Sequence, residues 1–525
     1  MNHRRWPVVV GAVFLAGMCL AGTARALIDV PTSERRALSL VELASGSGIA
    51  RPVDAGAGPL DDVWFLESYR ALQVRGLVDP LGERYASWQD ARSDGGLHLE
   101  TLLPQLAIRS YVLGSATNRR LLYHTSGDTL EDGFNTFLSA SGAAFWGDRV
   151  GGAYELQLTQ HSDDVGYRTK RLYLKTVWGK WSLKVGRDAE RLGQGYFGSL
   201  LLDDNAPTMN LWRVRTEEPL FLPGVLGRVG GFRFTVFNGY LSDATPSPPD
   251  PRYGSGVEPV QDPRLLGIRF SYHPSPWFDV GFSRVVLYGG KGRHSYTSPK
   301  DWWKLFSGED EHPGEGDTDR YDNDGHASYD LTLRLPFLNG VGPLKGGKIY
   351  WELAGTDGGP TEFTGRWERH NMFGFLPFEL LQRGYLGGFF LSTGLTELRW
   401  EYAETSQAWY RHHQYPQGFS YRGRPMGHPM GGDAWSTSAE LSRYFGAGWR
   451  TSLTGEVSER GRSLPESERR WEGNLRVEAL ALRAAGVPLT ATLDLLGARV
   501  RDPLDDPRRV DRTEVYAGLG LASFW

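Results

Sequence analysis

The chain has 525 residues, 40% of them hydrophobic and 12% aromatic, with 67 Gly, 30 Pro and a formal charge of −4. So small a charge gives nucleic acid no reason to bind, and the single cysteine, Cys19, excludes a disulfide framework. After Gly22 no apolar run reaches the roughly 18 residues that a membrane-crossing helix needs, so many aromatics and glycines in a rather polar chain point to short alternating strands.

The first residues, Met1 to Arg5, are basic, Trp6 to Gly22 are apolar, and Ala24-Arg25-Ala26 offers small residues for cleavage. That order predicts a secretory signal peptide over 1–26. Residues 27–96 read as helical or irregular. In "PLDDVWFLESYRALQVRGL", Phe65, Leu66, Tyr69 and Leu72 form one apolar stripe, with Asp61 and Asp62 in the first turn and Gly76 past the end. Ser33 to Ala44 is a second, weaker helix. So small a segment buries little core alone, so it is expected to dock on the rest of the protein.

From Leu97 the hydrophobic period becomes two and continues to the last residue, which sets 97–525 apart as one all-β unit. In "RLYLKTVWGKWSLKVGRD", Leu172 and Leu174 share a face, Arg171, Tyr173 and Lys175 take the other, and Gly179-Lys180 makes a tight turn to Trp181, Leu183 and Val185. The same alternation recurs more than a dozen times. Its polar face carries Arg233, Arg269, Arg334, Glu352, Glu397, Arg399, Glu401, Arg450, Glu456, Glu472, Arg476 and Asp494. Exported strands of this length, with aromatics near their ends, predict an antiparallel transmembrane β-barrel with lipid outside and a polar lumen. Arg284 breaks the pattern by falling on the apolar parity, and is expected near a rim where its head reaches water.

Connections alternate in length. Gly179-Lys180, His273 to Trp277 and Gly446 to Gly448 are tight, whereas Ser242 to Pro263, Gly289 to His326, Asp357 to Arg383 and Thr405 to Asp433 are long. Long structureless connections are uncommon unless functional or disordered, so the candidate sites lie there.

Several motifs dissolve on inspection. "GQGYFG", Gly193 to Gly198, spells a dinucleotide fingerprint, but Asp203, Asp204, Asn205 and Pro207 stop any helix behind it. Its glycines are expected to make a tight fold at the barrel mouth or inside the lumen. "DTDRYDNDGH" imitates a calcium loop, yet with Gly325 at the sixth position the first and twelfth are Arg320 and Leu331, where carboxylates are required. His412 and His413 are adjacent and point to opposite sides of an extended chain, so with His428 and Asp433 they make a poor metal set. No G-x-S-x-G and no singular carboxylate pair is present, so neither an enzyme nor a cofactor is expected.

The richest stretch is "WYRHHQYPQGFSYRGRPMGHPMGGDA", Trp409 to Ala434. Rings stack on the apolar faces of sugars and guanidinium forks pair with carboxylates. Tyr410, Arg411, Tyr415, Tyr421, Arg422 and Arg424, with His428 and Asp433, therefore form a candidate site for an acidic polysaccharide, and Trp302 and Trp303 a second patch. The alternative is a rigid lumenal plug whose arginines pair with lumen acids.

The segments "GRDAERLGQGYFGSLLLDDNAPTMNLWRVRT", "EEPLFLPG" and "YRGRPMGHPMGGDA" resemble the motifs of the Wzi-type capsule assembly proteins, in order and over most of the chain after about residue 60. The resemblance implies an outer-membrane barrel of about 18 antiparallel strands, a small N-terminal helical region in the periplasm, and a lumen obstructed by loops. It also implies lectin-like attachment of capsular or other surface polysaccharide to the cell, with outer-membrane lipid around the barrel. A porin or sugar-specific channel is the competing expectation. An obstructed lumen, expected from loops such as Asp357 to Arg383, separates the two.

Overall fold

The computed structural model describes residues 97–98 and, with breaks, 105–523; the longest stretches left out are 114–126, 243–259, 308–322 and 361–377. The expected leader at 1–26 and helical segment at 27–96 lie outside the described residues.

The chain runs through β1 (Gln105–Leu113), β2 (Gly133–Trp146), β3 (Val150–His161), β4 (Asp164–Trp178), β5 (Trp181–Asp188) and β6 (Met209–Thr216). It continues through β7 (Gly231–Tyr240), β8 (Arg264–Ser275), β9 (Phe278–Tyr288), β10 (Asn323–Arg334), β11 (Gly346–Pro360) and β12 (Phe378–Ser392). The last strands are β13 (Thr396–Thr405), β14 (Ala434–Phe445), β15 (Trp449–Arg460), β16 (Glu468–Ala484), β17 (Val487–Arg501) and β18 (Arg512–Ser523). Each pairs antiparallel with its neighbour in sequence. β18 pairs back onto β1, from Ala107↔Ala522 to Leu113↔Tyr516, and closes a barrel of 18 strands.

Alternation decides which side is which. Leu172, Leu174, Leu453 and Leu519 are each more than half exposed on the outer wall, while their neighbours Arg171, Lys184, Glu352, Arg399, Arg450 and Asp494 are buried inside. A soluble sandwich would bury the leucines; this barrel buries the charges, as a wall facing hydrocarbon requires.

One end carries short links such as Gly179-Lys180, where Gly179 takes a left-handed φ of 56° with nothing near its Cβ position. The long connections 189–208, 241–263, 289–322, 361–377 and 406–433 all leave from the other end. Barrels of this kind place long loops outside the cell.

Within the 289–322 connection the chain forms α1 (Pro299–Ser307). Ser298 and Asp301 make a reciprocal capping box: the Ser298 N–H donates to the Asp301 carboxylate at 3.0 Å, and the Asp301 N–H to the Ser298 hydroxyl at 3.1 Å. These bonds hold the Asp301 carboxyl below its ordinary range. α1 packs on the outer wall, where Leu305 and Trp302 join Leu266, Ile268, Val286 and Tyr288, all of outward parity.

Arg284 corrects one expectation. It is on the outward parity as read, but its head does not reach water: only 2% of the residue is exposed. The guanidinium donates to the carbonyls of Leu305 and Phe306, so the last turn of α1 covers the charge. The calcium-like "DTDRYDNDGH" also resolves into something else, because Asn323 to His326 are paired residues of β10.

Candidate functional site

The lumen is filled by the connection between β5 and β6, which turns inward at Gly193. The Gly193 φ is +132°, and a Cβ at Gly195 would lie 1.9 Å from the Gly198 carbonyl, so only glycine permits the fold. The N–H groups thus exposed take anions, but the anions are the barrel's own. The Glu352 carboxylate of β11 accepts the N–H groups of Gln194, Gly195 at 2.6 Å and Leu200 at 3.0 Å. Glu401 of β13 accepts those of Tyr196 at 2.5 Å and Phe197 at 3.2 Å, and the Tyr350 hydroxyl at 2.8 Å. "GQGYFG" is therefore a fold inside the lumen that cradles carboxylates rather than phosphate.

Side chains complete the attachment. Gln194 donates to Asp330 at 2.9 Å, and Arg269 grips the same carboxylate at 2.7 and 2.9 Å. The Arg399 guanidinium lies between the rings of Tyr196 and Phe390, 4.2 Å from each centroid. At the base of the loop Glu190 bonds Arg213 at 2.9 Å and Lys184 at 2.8 Å. Burial would raise the Glu190 pKa, but these cations outweigh it and hold the carboxyl below its usual range.

The 406–433 connection packs on this plug. Trp409, Tyr410, Tyr415, Phe419, Tyr421, Met426 and Met430 are all nearly or fully buried in one cluster with Leu200, Leu201, Leu202 and Phe237. The Tyr410 hydroxyl donates to the Leu200 carbonyl and accepts the His428 N–H at 2.8 Å. Tyr415 and Tyr421 donate to the carbonyls of Gly289 and Ser242, each at 3.0 Å. The rings identified from sequence as sugar platforms are thus buried inside the protein, where Tyr410 stacks on Phe419, and their hydroxyls tie three connections together.

The cations of this segment separate. Arg424 is buried and donates to the carbonyls of Asp128 at 2.7 Å and Asn205 at 3.3 Å. Burial pushes its pKa down to about 9, with the Asp128 charge opposing. Asp128 bonds Lys170 at 2.8 Å, Arg109 at 3.1 Å and Arg168; together these cations overcome its burial and depress its pKa strongly. Arg411 and Arg422 are half-buried; Arg422 takes a left-handed φ of 50° and lies 5.5 Å over the Tyr421 ring. His428 is buried under Gly198. Trp302 and Trp303 are on α1, on the outer wall, away from this group. Among the described residues no group of three or more His, Cys, Asp or Glu is placed to hold a metal ion.

Of the expected site residues, Asp433 alone lines an open cleft, of about 740 Å³, at the long-loop rim. The other walls are Gln382, Arg383, Tyr385, Glu404, Ser406, Gln407, Arg462 and Ser463, with Leu380 beneath. Its acids are engaged: Asp433 accepts Ser463 Oγ at 2.6 Å, and Glu404 accepts the Tyr402 hydroxyl at 2.9 Å and Arg462. Arg383 and Arg462 bring guanidinium groups to the same wall. Sequence reading missed this cleft because its residues come from the ends of β12 and β13 and from the connections 406–433 and 461–467, and nothing local marks them as neighbours.

Comparison with known proteins fits the geometry. The family model for capsule assembly protein Wzi matches residues 109–495. Among solved structures, the Escherichia coli outer-membrane protein Wzi, described as involved in group 1 capsule assembly and as a carbohydrate-binding β-barrel, superposes with a TM-score of 0.64 at 16% identity. The match covers 96% of this chain and 100% of that one. Pseudomonas aeruginosa OpdQ aligns over 81% of this chain at a TM-score of 0.46 and 11% identity. An uncharacterised Klebsiella pneumoniae protein of the cps region is 26% identical over 160 residues, a match that spans 28% of that relative's length and 30% of this chain. With its closed 18-stranded barrel and a family match across most of its length, the chain belongs to the Wzi family of capsule assembly proteins and is an outer-membrane β-barrel.

Proposed function

We propose that this protein holds capsular or other surface polysaccharide at the cell surface by direct, non-catalytic binding at its extracellular rim. The observation that carries this reading is the packed lumen: the strand carboxylates that would line an aqueous channel are spent on the backbone of the 189–208 loop. A porin needs that space free. Among the described residues, a surface suited to a glycan is the rim cleft, which offers amide, hydroxyl and guanidinium groups beside the half-exposed ring of Tyr385. Arg383 and Arg462 favour an acidic chain. Residues 27–96 would then support the barrel from the periplasm.

The test is retention of polysaccharide by cells carrying Arg383→Ala with Arg462→Ala. The variant should fold and reach the outer membrane in normal amount while shedding polysaccharide into the medium. Full retention by a correctly inserted variant would place the contact elsewhere, and the half-buried Arg411 and Arg422 become the next positions to change.

A further inference from the structure

α1 covers a part of the barrel wall that neighbouring strands leave to lipid. On β8, Leu266, Ile268 and Phe270 alternate with Leu265, Gly267 and Arg269; the first set faces out and the second faces the lumen. Phe270 is 41% exposed, whereas Leu266 and Ile268, nearer the extracellular end, are buried under Leu305, Trp302 and Tyr296. β9 repeats this: Phe278, Val280 and Phe282 are half-buried on the outer wall, whereas Arg284, Val286 and Tyr288, nearer the extracellular end, are fully buried. β9 has 11 residues, and a tilted strand uses about 9–11 to cross a bilayer. Its upper outward residues therefore lie at outer-leaflet depth, and so does the helix that covers them.

The side of α1 turned away from the wall is not polar. Trp303 is 61% exposed and Phe306 40%, with their rings stacked 6.0 Å apart at 21°. Lys300 is exposed beside them and Lys304 half-buried. A ring pair flanked by lysines on a helix parallel to a membrane wall is the composition that settles at the headgroup boundary. The wall itself is built to keep the helix there, since an arginine facing hydrocarbon costs about 2–4 kcal/mol near mid-membrane unless something covers it. Arg284 is covered by the end carbonyls of α1.

We propose that α1 is an interfacial strap: it lies in the outer leaflet with Trp303 and Phe306 among the upper acyl chains and Lys300 toward anionic headgroups. This rests on the barrel being in the outer membrane and not on what the rim binds. It assigns Trp303 to lipid and not to polysaccharide. The seat of α1 on the outward face of β8 and β9, above the 41% exposed Phe270, is what selects lipid over glycan.

The experiment uses the full chain in vesicles of phosphatidylethanolamine and phosphatidylglycerol. Cys19 is the chain's single cysteine and lies in the expected leader, so a nitroxide can be attached at Trp303→Cys or, separately, Phe306→Cys. Leu441→Cys on the exposed wall and Gln407→Cys in the rim cleft serve as references. At both α1 positions oxygen, which partitions into lipid, should relax the label several-fold more than a water-soluble nickel chelate, as at Leu441. Added host polysaccharide should leave the spectra unchanged. Labels that behave like the one at Gln407, or that are immobilised by polysaccharide, would overturn the proposal; if one variant fails to fold, the other position gives the same reading.

Discussion

The Glu352 carboxylate and the Gly195 N–H meet at 2.6 Å across 157 positions of sequence. Glu352 is fixed on a strand, and Gly195 belongs to a loop that could as well stand above the barrel; this bond and its neighbours decide that it goes in. A carboxylate buried in the wall would be costly alone, and a bare turn of N–H groups would be equally so. Each removes the other's penalty.

Glu352→Ala should therefore release the plug more than it weakens the wall. It strands the N–H groups of Gln194, Gly195 and Leu200, and each buried donor left without a partner costs about 1–3 kcal/mol. In planar bilayers the parent should be silent and the variant should show discrete conductance steps. Steps in the parent would contradict a sealed lumen.

Glycines separate close approach from mere turn geometry. Gly195→Ala drives a methyl to 1.9 Å from the Gly198 carbonyl, and both are backbone-constrained, so heat-modifiable folding should be lost or its midpoint lowered sharply. Gly179→Ala meets nothing within 4 Å and pays only left-handed strain, roughly 1 kcal/mol. Comparable melting of the two variants would mean the plug is not held as described.

Arg424 and Arg422 should differ in kind. Arg424→Ala removes charge-assisted bonds to the carbonyls of Asp128 and Asn205 in a buried setting, so we expect about 2–4 kcal/mol of destabilisation and faster proteolysis of the 406–433 connection. Arg422→Ala loses a ring contact worth about 0.5–1 kcal/mol and relieves a left-handed backbone only slightly. Urea unfolding in detergent micelles checks both.

Acid should leave the Asp128 cluster intact until late. Its folded pKa is depressed because Lys170, Arg109 and Arg168 together outweigh burial. A depressed carboxylate stabilises the fold at every pH above its unfolded value of about 3.9, and that contribution is lost as the pH falls toward the folded value. Asp128→Asn should thus melt well below the parent at pH 7, and the gap should narrow only below about pH 4. A gap independent of pH would show that the charge is not what binds the cations.

The strands were legible because period-two alternation is local: each of Leu172, Leu174 and Arg171 declares its side within three residues. The plug was legible only in part. "GQGYFG" announced a tight fold, but its partners Glu352 and Glu401 looked like any other lumen acids. The rings from Trp409 to Tyr421 have the same composition whether they face a sugar or one another, and the choice is made by contacts such as Tyr410 to Leu200, 210 positions apart. α1 escaped notice because its seat is the outer wall of β8 and β9, which no local pattern encodes. Arg284 was the clue: a charge on the lipid parity needs a cover.

Titration of the host's purified surface polysaccharide into the full-length protein in lipid nanodiscs puts the proposed function to its hardest test. We expect saturable binding that weakens roughly five- to thirtyfold in Arg383→Ala with Arg462→Ala, since each half-exposed guanidinium contact contributes about 0.5–1 kcal/mol. Glu352→Ala should bind more weakly only if the rim is distorted with the plug. No heat and no saturation with the folded parent protein would contradict a role in holding polysaccharide.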